Sequence, residues 1–312
     1  MPRQYCVYGL TLSTPLPLPI PSAPASTTAD LAFRPARASE FPREGRRSRS
    51  WFRYRALSDG VAHLEWRGLF EFLVSPDGGT VRYRRLGRAS DHSLGTYLLG
   101  HVLSFSLVAR GAEPLHGTAV MVDDEAVVFL GECGEGKSTL GAAMIRRGAR
   151  IVSDDLIAIH RLGRACFVQP GPARLKLYRH VARAIVGRRR EEQMHPDTAK
   201  LVVPMRGRER ARAPVRLRAF YVLARHPRGT RARDIRIDTL SPGAAIVELL
   251  RSSFNLVVDS PSRERTRFAL ASELARAVPV KRLTYPRSLA ALPKVCDAIL
   301  RDLNPSNLPV EY

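Results

Sequence analysis

The chain has 312 residues, 45% of them hydrophobic, the composition of a globular protein with a substantial core, and its length suggests two domains. Four dispersed cysteines, Cys6, Cys133, Cys166 and Cys296, form no CxxC pair, which argues against a zinc site or disulfide framework and for a reducing compartment. The formal charge of +21 invites a nucleic-acid partner, but only five of the 50 basic residues are lysines, and arginine excess beside abundant alanine and proline is what a GC-rich genome produces.

No helix-turn-helix, zinc-finger or RNA-recognition signature accompanies that charge, so no specific nucleic acid is expected. The clusters Arg43–Arg49 and Arg206–Arg212 are read as solvated loops, or as surfaces for an acidic peptide. The longest apolar stretch, Tyr97 to Ala109, is too short and too polar-interrupted to span a bilayer. Prolines 15, 17, 19 and 21 would break the apolar helix of a signal peptide, so a cytoplasmic protein without a membrane partner is expected.

Gln4 to Ser13 alternates as an opening strand, and residues 14 to 50, rich in Pro, Ser, Ala and Arg, read mostly as loop. Strand patterns return at Trp51–Arg55, Val61–Trp66, Phe70–Val74 and Val81–Arg85, the last pair around a Pro76-Asp77-Gly78-Gly79 turn. They predict a small antiparallel sheet in a β-rich part over residues 1–90. Ser93 to Ala109 has helical spacing and leads into a second part, residues 91–312.

Thr118–Val122 and Ala126–Leu130 flank Asp123-Asp124-Glu125 as a β-hairpin. The following Gly131-Glu132-Cys133-Gly134-Glu135-Gly136-Lys137-Ser138 is a complete GxxxxGK[ST] phosphate loop, and Thr139 continues it into a helix. Glycines let backbone N–H groups curl around phosphate at the helix N-terminus. Lys137 then reaches the β- and γ-phosphates of ATP, and Ser138 offers its hydroxyl oxygen to Mg²⁺. Gly148 caps the helix, and a strand from Ala149 runs into Ser153-Asp154-Asp155, only 17 residues past Lys137 at Asp154 (154 minus 137). Paired carboxylates at a strand's end suit metal binding by one and contact with an acceptor by the other.

His116-Gly117, the hairpin, the phosphate loop and Arg147-Gly148-Ala149-Arg150-Ile151-Val152-Ser153-Asp154-Asp155 together resemble the HPr serine kinase/phosphorylase core, with the close match over residues 115 to 160. The opening Tyr-x-Val-Tyr-Gly-Leu and the closing Tyr285–Leu300 segment resemble the HPr-kinase-related serine kinases of lasso-peptide gene clusters. The resemblance implies an α/β fold, with a P-loop domain of the HPr-kinase/PEP-carboxykinase type after a mostly β N-terminal part. It implies an ATP- and Mg²⁺-dependent serine kinase acting on a precursor peptide or small protein, such as the C-terminal serine of a lasso-peptide precursor. Homo-oligomer formation is compatible with it.

By position, the resemblance makes Lys137 the phosphate-binding cation and Ser138 with Asp154 the metal ligands. It makes Asp155 the general base and sets His116 beside that carboxylate; the roles of Asp154 and Asp155 are interchangeable at this level. Thr139 stands where HPr kinases commonly carry glutamate. Their signature linked to phosphorolysis has no counterpart, and Pro172–Tyr178 stands in its place, with Arg174 and Lys176 as phosphate contacts or a charged strand edge. Neither reverse activity nor HPr as substrate therefore carries over. The arginine-dense segment 185–214, broken by Pro196 and Pro204, is expected to be a mobile loop over the site. Two alternatives stand beside the peptide kinase: a small-molecule kinase of the same fold, and a nucleotide-dependent peptide-binding sensor without transfer.

Overall fold

The computed structural model describes residues 2–24, 27–42, 50–87, 89–187, 192–195, 198–225 and 234–304, so the Arg43–Arg49 cluster lies outside the described residues. The N-terminal part is a seven-stranded sheet of β1 (Arg3–Val7), β2 (Leu10–Thr14), β3 (Leu31–Pro35), β4 (Phe52–Ala56), β5 (Ala62–Trp66), β6 (Phe70–Val74) and β7 (Thr80–Arg85). Its order is β1-β2-β3-β7-β6-β5-β4. The expected opening strand is instead a hairpin, because Tyr8 and Gly9 both take positive φ (54° and 78°), as a tight two-residue turn requires. The sheet is mixed rather than antiparallel: β3 lies inside the stretch expected to be loop and pairs in parallel with both β2 and β7.

A continuous helical run follows, formed by α1 (Asp91–Tyr97), a π-helical turn (Leu98–Val102) and α2 (Leu103–Ala109). Ser90 caps it by accepting a hydrogen bond from the Ser93 amide. Leu94, Leu98 and Val102 are buried in one cluster with Phe33, Phe70 and Phe72 of the sheet. Each such side chain contributes about 1.5–3 kcal/mol through burial, which fastens the run to the sheet.

The second part is a sheet of β8 (Leu115–Val122), β9 (Glu125–Leu130), β10 (Arg150–Ile157), β11 (Ile159–Leu162) and β12 (Ala165–Val168), later joined by β16 (Val215–Ala224), β17 (Arg236–Thr239) and β18 (Val280–Thr284). Its order is β10-β8-β9-β16-β12-β11, with β18 on β16 and β17 on β18. The β8–β9 hairpin turns at Asp123-Asp124, both at positive φ. Between β9 and β10 runs α3 (Lys137–Arg146).

Alternation in β9 divides the core. Val127 and Phe129 pack with Leu140 and Met144 of α3 and Val295 and Ile299 of a C-terminal helix, while Val128 and Leu130 pack on the opposite face with Leu249 and Leu274. In chain order the remaining α-helices among the described residues are α4 (Arg179–Val181), α5 (Pro242–Arg251), α6 (Pro261–Ala277) and α7 (Leu292–Leu303). A third sheet, β13 (Arg174–Tyr178), β14 (Glu192–Gln193) and β15 (Lys200–Pro204), takes up part of the segment expected to be loop. Its apolar Leu175, Leu177, Leu201 and Val203 belong to the α3 core, which is why the described part of that segment is ordered as sheet. The fold is mixed α/β.

Candidate active site

The phosphate loop leaves β9 at Leu130 and enters α3 at Lys137. Gly131, Gly134 and Gly136 have φ of 141°, 85° and 88°, a backbone that side-chain-bearing residues rarely adopt. Lys137 is buried and its Nζ donates to the Gly131 and Glu132 carbonyls, at 2.7 and 2.9 Å. Burial lowers its pKa, partly offset by the surrounding negative groups. Cys133 is exposed, and Thr139 lies partly buried in the first turn. Glu135 is buried and paired outward, its carboxylate accepting from Arg225 Nε at 2.9 Å and Arg287 Nη2 at 2.5 Å. Gly134, Glu135, Gly136 and Thr139 also line a second cleft of about 460 Å³, beside Tyr285 and Arg287.

Asp154 and Asp155 sit inside β10, not at its end as expected, and point to different partners. A register irregularity precedes them, and Asp155 itself takes φ of 78°. That conformation is costly for a residue with a side chain, so the surrounding structure must hold it. Asp154 is buried and accepts from Thr118 Oγ1 (2.7 Å), Ser138 Oγ (2.8 Å) and the Lys176 amide (2.8 Å). Burial and the neighbouring Asp155 charge raise its pKa despite those three bonds.

Asp155 instead accepts from Lys176 Nζ at 2.6 Å, and its Oδ1 lies 3.6 Å from His116 Nδ1. Burial pushes its pKa up, but the Lys176 ammonium and nearby imidazoles outweigh that and hold it well below the usual carboxylate range. His116 Nδ1 also lies 3.1 Å from the Asp155 carbonyl oxygen. Burial lowers the His116 pKa, against the opposing pull of Asp155. His116, Lys137, Ser138 and Asp155 all line one cleft of about 700 Å³.

Of the two basic residues in β13, only Lys176 faces this cleft. Arg174 is buried and turned away, donating to Thr96 Oγ1 and the Thr96 carbonyl at 3.1 and 3.0 Å, so it braces α1 and is corrected from a phosphate contact to a strut. The helical run approaches closely because residue 100 is glycine: a Cβ there would lie 3.3 Å from Asp155 Oδ2 and 3.5 Å from Lys176 Nζ. Its neighbour His101, on the π turn, also lines the cleft and was not evident from sequence; a polar residue within the apolar Leu98–Leu107 helix was the available signal. Trp66, Tyr97 and Phe254 join it there, brought together only by the tertiary fold.

Ser138 and Asp154 present hard oxygen donors within hydrogen-bonding distance of each other at the loop, a set that suits Mg²⁺ completed by phosphate oxygens. Among the described residues no group of three or more His, Cys, Asp or Glu side chains is gathered for a metal. Among the described residues no helix is long and apolar enough to cross a membrane.

No protein-family model matches the chain. Two HPr kinase/phosphorylases are similar over a short stretch. That of Lachnoclostridium phytofermentans is 36% identical over 58 residues, 19% of each chain. That of Caldicellulosiruptor bescii is 36% identical over 66 residues, 21% of this chain and 20% of the relative. The similarity thus spans about a fifth of the length of these relatives. Among solved structures, the Hpr(Ser) kinase/phosphatase from Coxiella burnetii gives a TM-score of 0.33 at 13% identity, covering 62% of this chain and 97% of that one. The chain is therefore similar, locally and in sequence, to HPr kinase/phosphorylases.

Proposed function

We propose that the protein is an ATP- and Mg²⁺-dependent serine kinase that phosphorylates a peptide or small protein. One observation carries this reading. A phosphate loop and a divided carboxylate pair meet in one cleft, with Asp154 turned toward Ser138 and Asp155 turned toward His116 and open space. In this reading Lys137 leaves its two carbonyl contacts for the β- and γ-phosphates, and the loop amides bind the polyphosphate. The nucleoside end lies in the second cleft, beside Tyr285 and Arg287.

Ser138 and Asp154 would hold Mg²⁺, which when bound neutralises phosphate charge. The acceptor serine oxygen forms a bond to the γ-phosphorus as the bond to the β,γ-bridging oxygen breaks, ADP departs, and the serine proton passes to an Asp155 carboxylate oxygen. Lys176 and His116 orient Asp155 for that transfer. Within the peptide class, the sequence resemblance favours a precursor peptide of a ribosomally made natural product, the C-terminal serine of a lasso-peptide precursor in particular, and a cytoplasmic setting. Incubation with ATP, Mg²⁺ and the peptide encoded beside the gene tests this. A mass gain of one phosphate on serine is expected; ATP binding with no mass gain overturns the kinase in favour of the sensor.

A further inference from the structure

The cleft that reaches Asp155 also carries a row of aromatic rings that, beyond His116, phosphate chemistry does not use. From the inner end, His116 meets Phe254 at 5.5 Å between ring centres, Phe254 meets His101 at 5.1 Å, and His101 meets Trp66 at 5.7 Å. Trp66 meets Tyr97 at 5.0 Å, Tyr97 meets His195 at 5.8 Å, and His195 meets Trp51 at 5.0 Å. All of these rings line the one cleft. The row begins beside the partly buried Asp155 carboxylate and ends at Trp51, which is 37% exposed.

Such a surface suits an occupant with its own flat or apolar groups, since ring contacts add to affinity beyond simple burial. The row runs from the interior to solvent, so an occupant along it reaches inward with one end and leaves the protein with the other. A chain does this, whereas an enclosed metabolite does not. His101 is third from the inner end, its ring making no hydrogen bond among the described residues while lining the cleft. Desolvation keeps it neutral, its pKa lowered to about 4, so it offers one donor and one acceptor without a charge.

We infer that this row is the acceptor subsite, and that it takes an extended peptide carrying an aromatic residue next to the serine to be phosphorylated. The inference rests on the kinase reading above and deepens it.

Trp51 and Trp66 are the two tryptophans of the chain, so intrinsic emission reports occupancy of the row without any turnover. The full chain is titrated with blocked phenylalanyl-seryl-glycine and glycyl-seryl-glycine, and phosphate gain with ATP and Mg²⁺ is followed in parallel. The phenylalanyl peptide is expected to change the emission and to bind roughly 2- to 12-fold tighter, the range one aromatic contact gives. Phe254→Ala, beside His116 at the inner end, is expected to remove most of that preference while Trp51→Ala at the exposed mouth leaves it largely unchanged, with nucleotide binding as the check on folding. Equal binding of both peptides, phosphate transfer to both at the same rate, or tighter binding of 2-phenylethanol than of either overturns the inference. Aromatic-selective binding without phosphate gain on either peptide upholds the subsite and counts against the kinase reading.

Discussion

The Lys176 ammonium grips the Asp155 carboxylate at 2.6 Å, and both side chains are largely buried. A cation from β13 thereby fixes the orientation of a carboxylate that β10 holds in a left-handed backbone conformation.

Removing one partner leaves the other charge buried and unpaired. Lys176→Met is expected to destabilise the fold by about 2–4 kcal/mol, somewhat under the figure for a wholly buried pair because Asp155 retains some exposure. Adding Asp155→Asn should recover most of that loss. A double-mutant cycle in urea denaturation measures the coupling; simple additivity would show that the contact contributes nothing.

The two aspartates should fail differently. Asp155→Asn is expected to cut phosphoryl transfer by about 10²–10⁴-fold while ATP still binds, because it removes the proton acceptor. Asp154→Asn should mainly raise the Mg²⁺ concentration needed for ATP binding, since Ser138 loses its carboxylate partner. Calorimetric titration of ATP at several Mg²⁺ concentrations distinguishes them, and the opposite pattern would exchange the two roles.

Gly100→Ala tests the close approach of the helical run. Alanine favours a helix over glycine by about 1 kcal/mol, so stability should change little. The added methyl would lie 3.3 Å from Asp155 Oδ2, displacing the carboxylate by tenths of an ångström. A roughly tenfold loss of transfer is expected in single-turnover assays, and an undiminished rate would show that the carboxylate position is not critical.

His101 makes acid stability predictable. Its folded-state pKa is lowered from 6.5 to about 4, with desolvation as the main cause. Between those values the unfolded chain binds more protons than the folded one, so stability is full above about pH 6.5 and falls as pH drops toward 4. The loss is at most about 3 kcal/mol. His101→Gln should flatten this part of the curve of denaturation midpoint against pH; an unaltered slope would assign it to other groups.

The phosphate loop, the hairpin before it and the carboxylates after it were legible because each signal is local: glycine spacing, an Asp-Asp turn, an apolar strand. The hairpin at Tyr8-Gly9 was missed because a single glycine interrupts an otherwise regular alternation. Strand β3 escaped notice because its partners come from β2 and β7 and its flanks are proline-rich. The left-handed conformation of Asp155 has no sequence signature, since an aspartate that ends a strand and one twisted inside it, as here, read alike in the sequence. His101 and Trp66 converge only through the packing of the helical run on the N-terminal sheet, a relation between residues 35 positions apart that no local pattern encodes (101 minus 66).

The π turn at Leu98–Val102 takes up one residue within the helical run without changing the phase of its flanks. A π turn holds one residue more than the α-helix it interrupts, so losing one residue there would restore even winding with the flanks in nearly the same phase. Losing one from α1 or α2 would instead rotate one flank against the other by about 100°. Both flanks are anchored: Thr96 accepts from Arg174 before the turn, and Ser104 accepts from Asn255 after it. The extra residue is absorbed as a bulge between these two fixed attachments, and the bulge carries the His101 imidazole that lines the cleft. A one-residue deletion within Leu98–Val102 is therefore expected to cost the fold less than a one-residue deletion in α1 or α2, which would turn one attachment away from its partner.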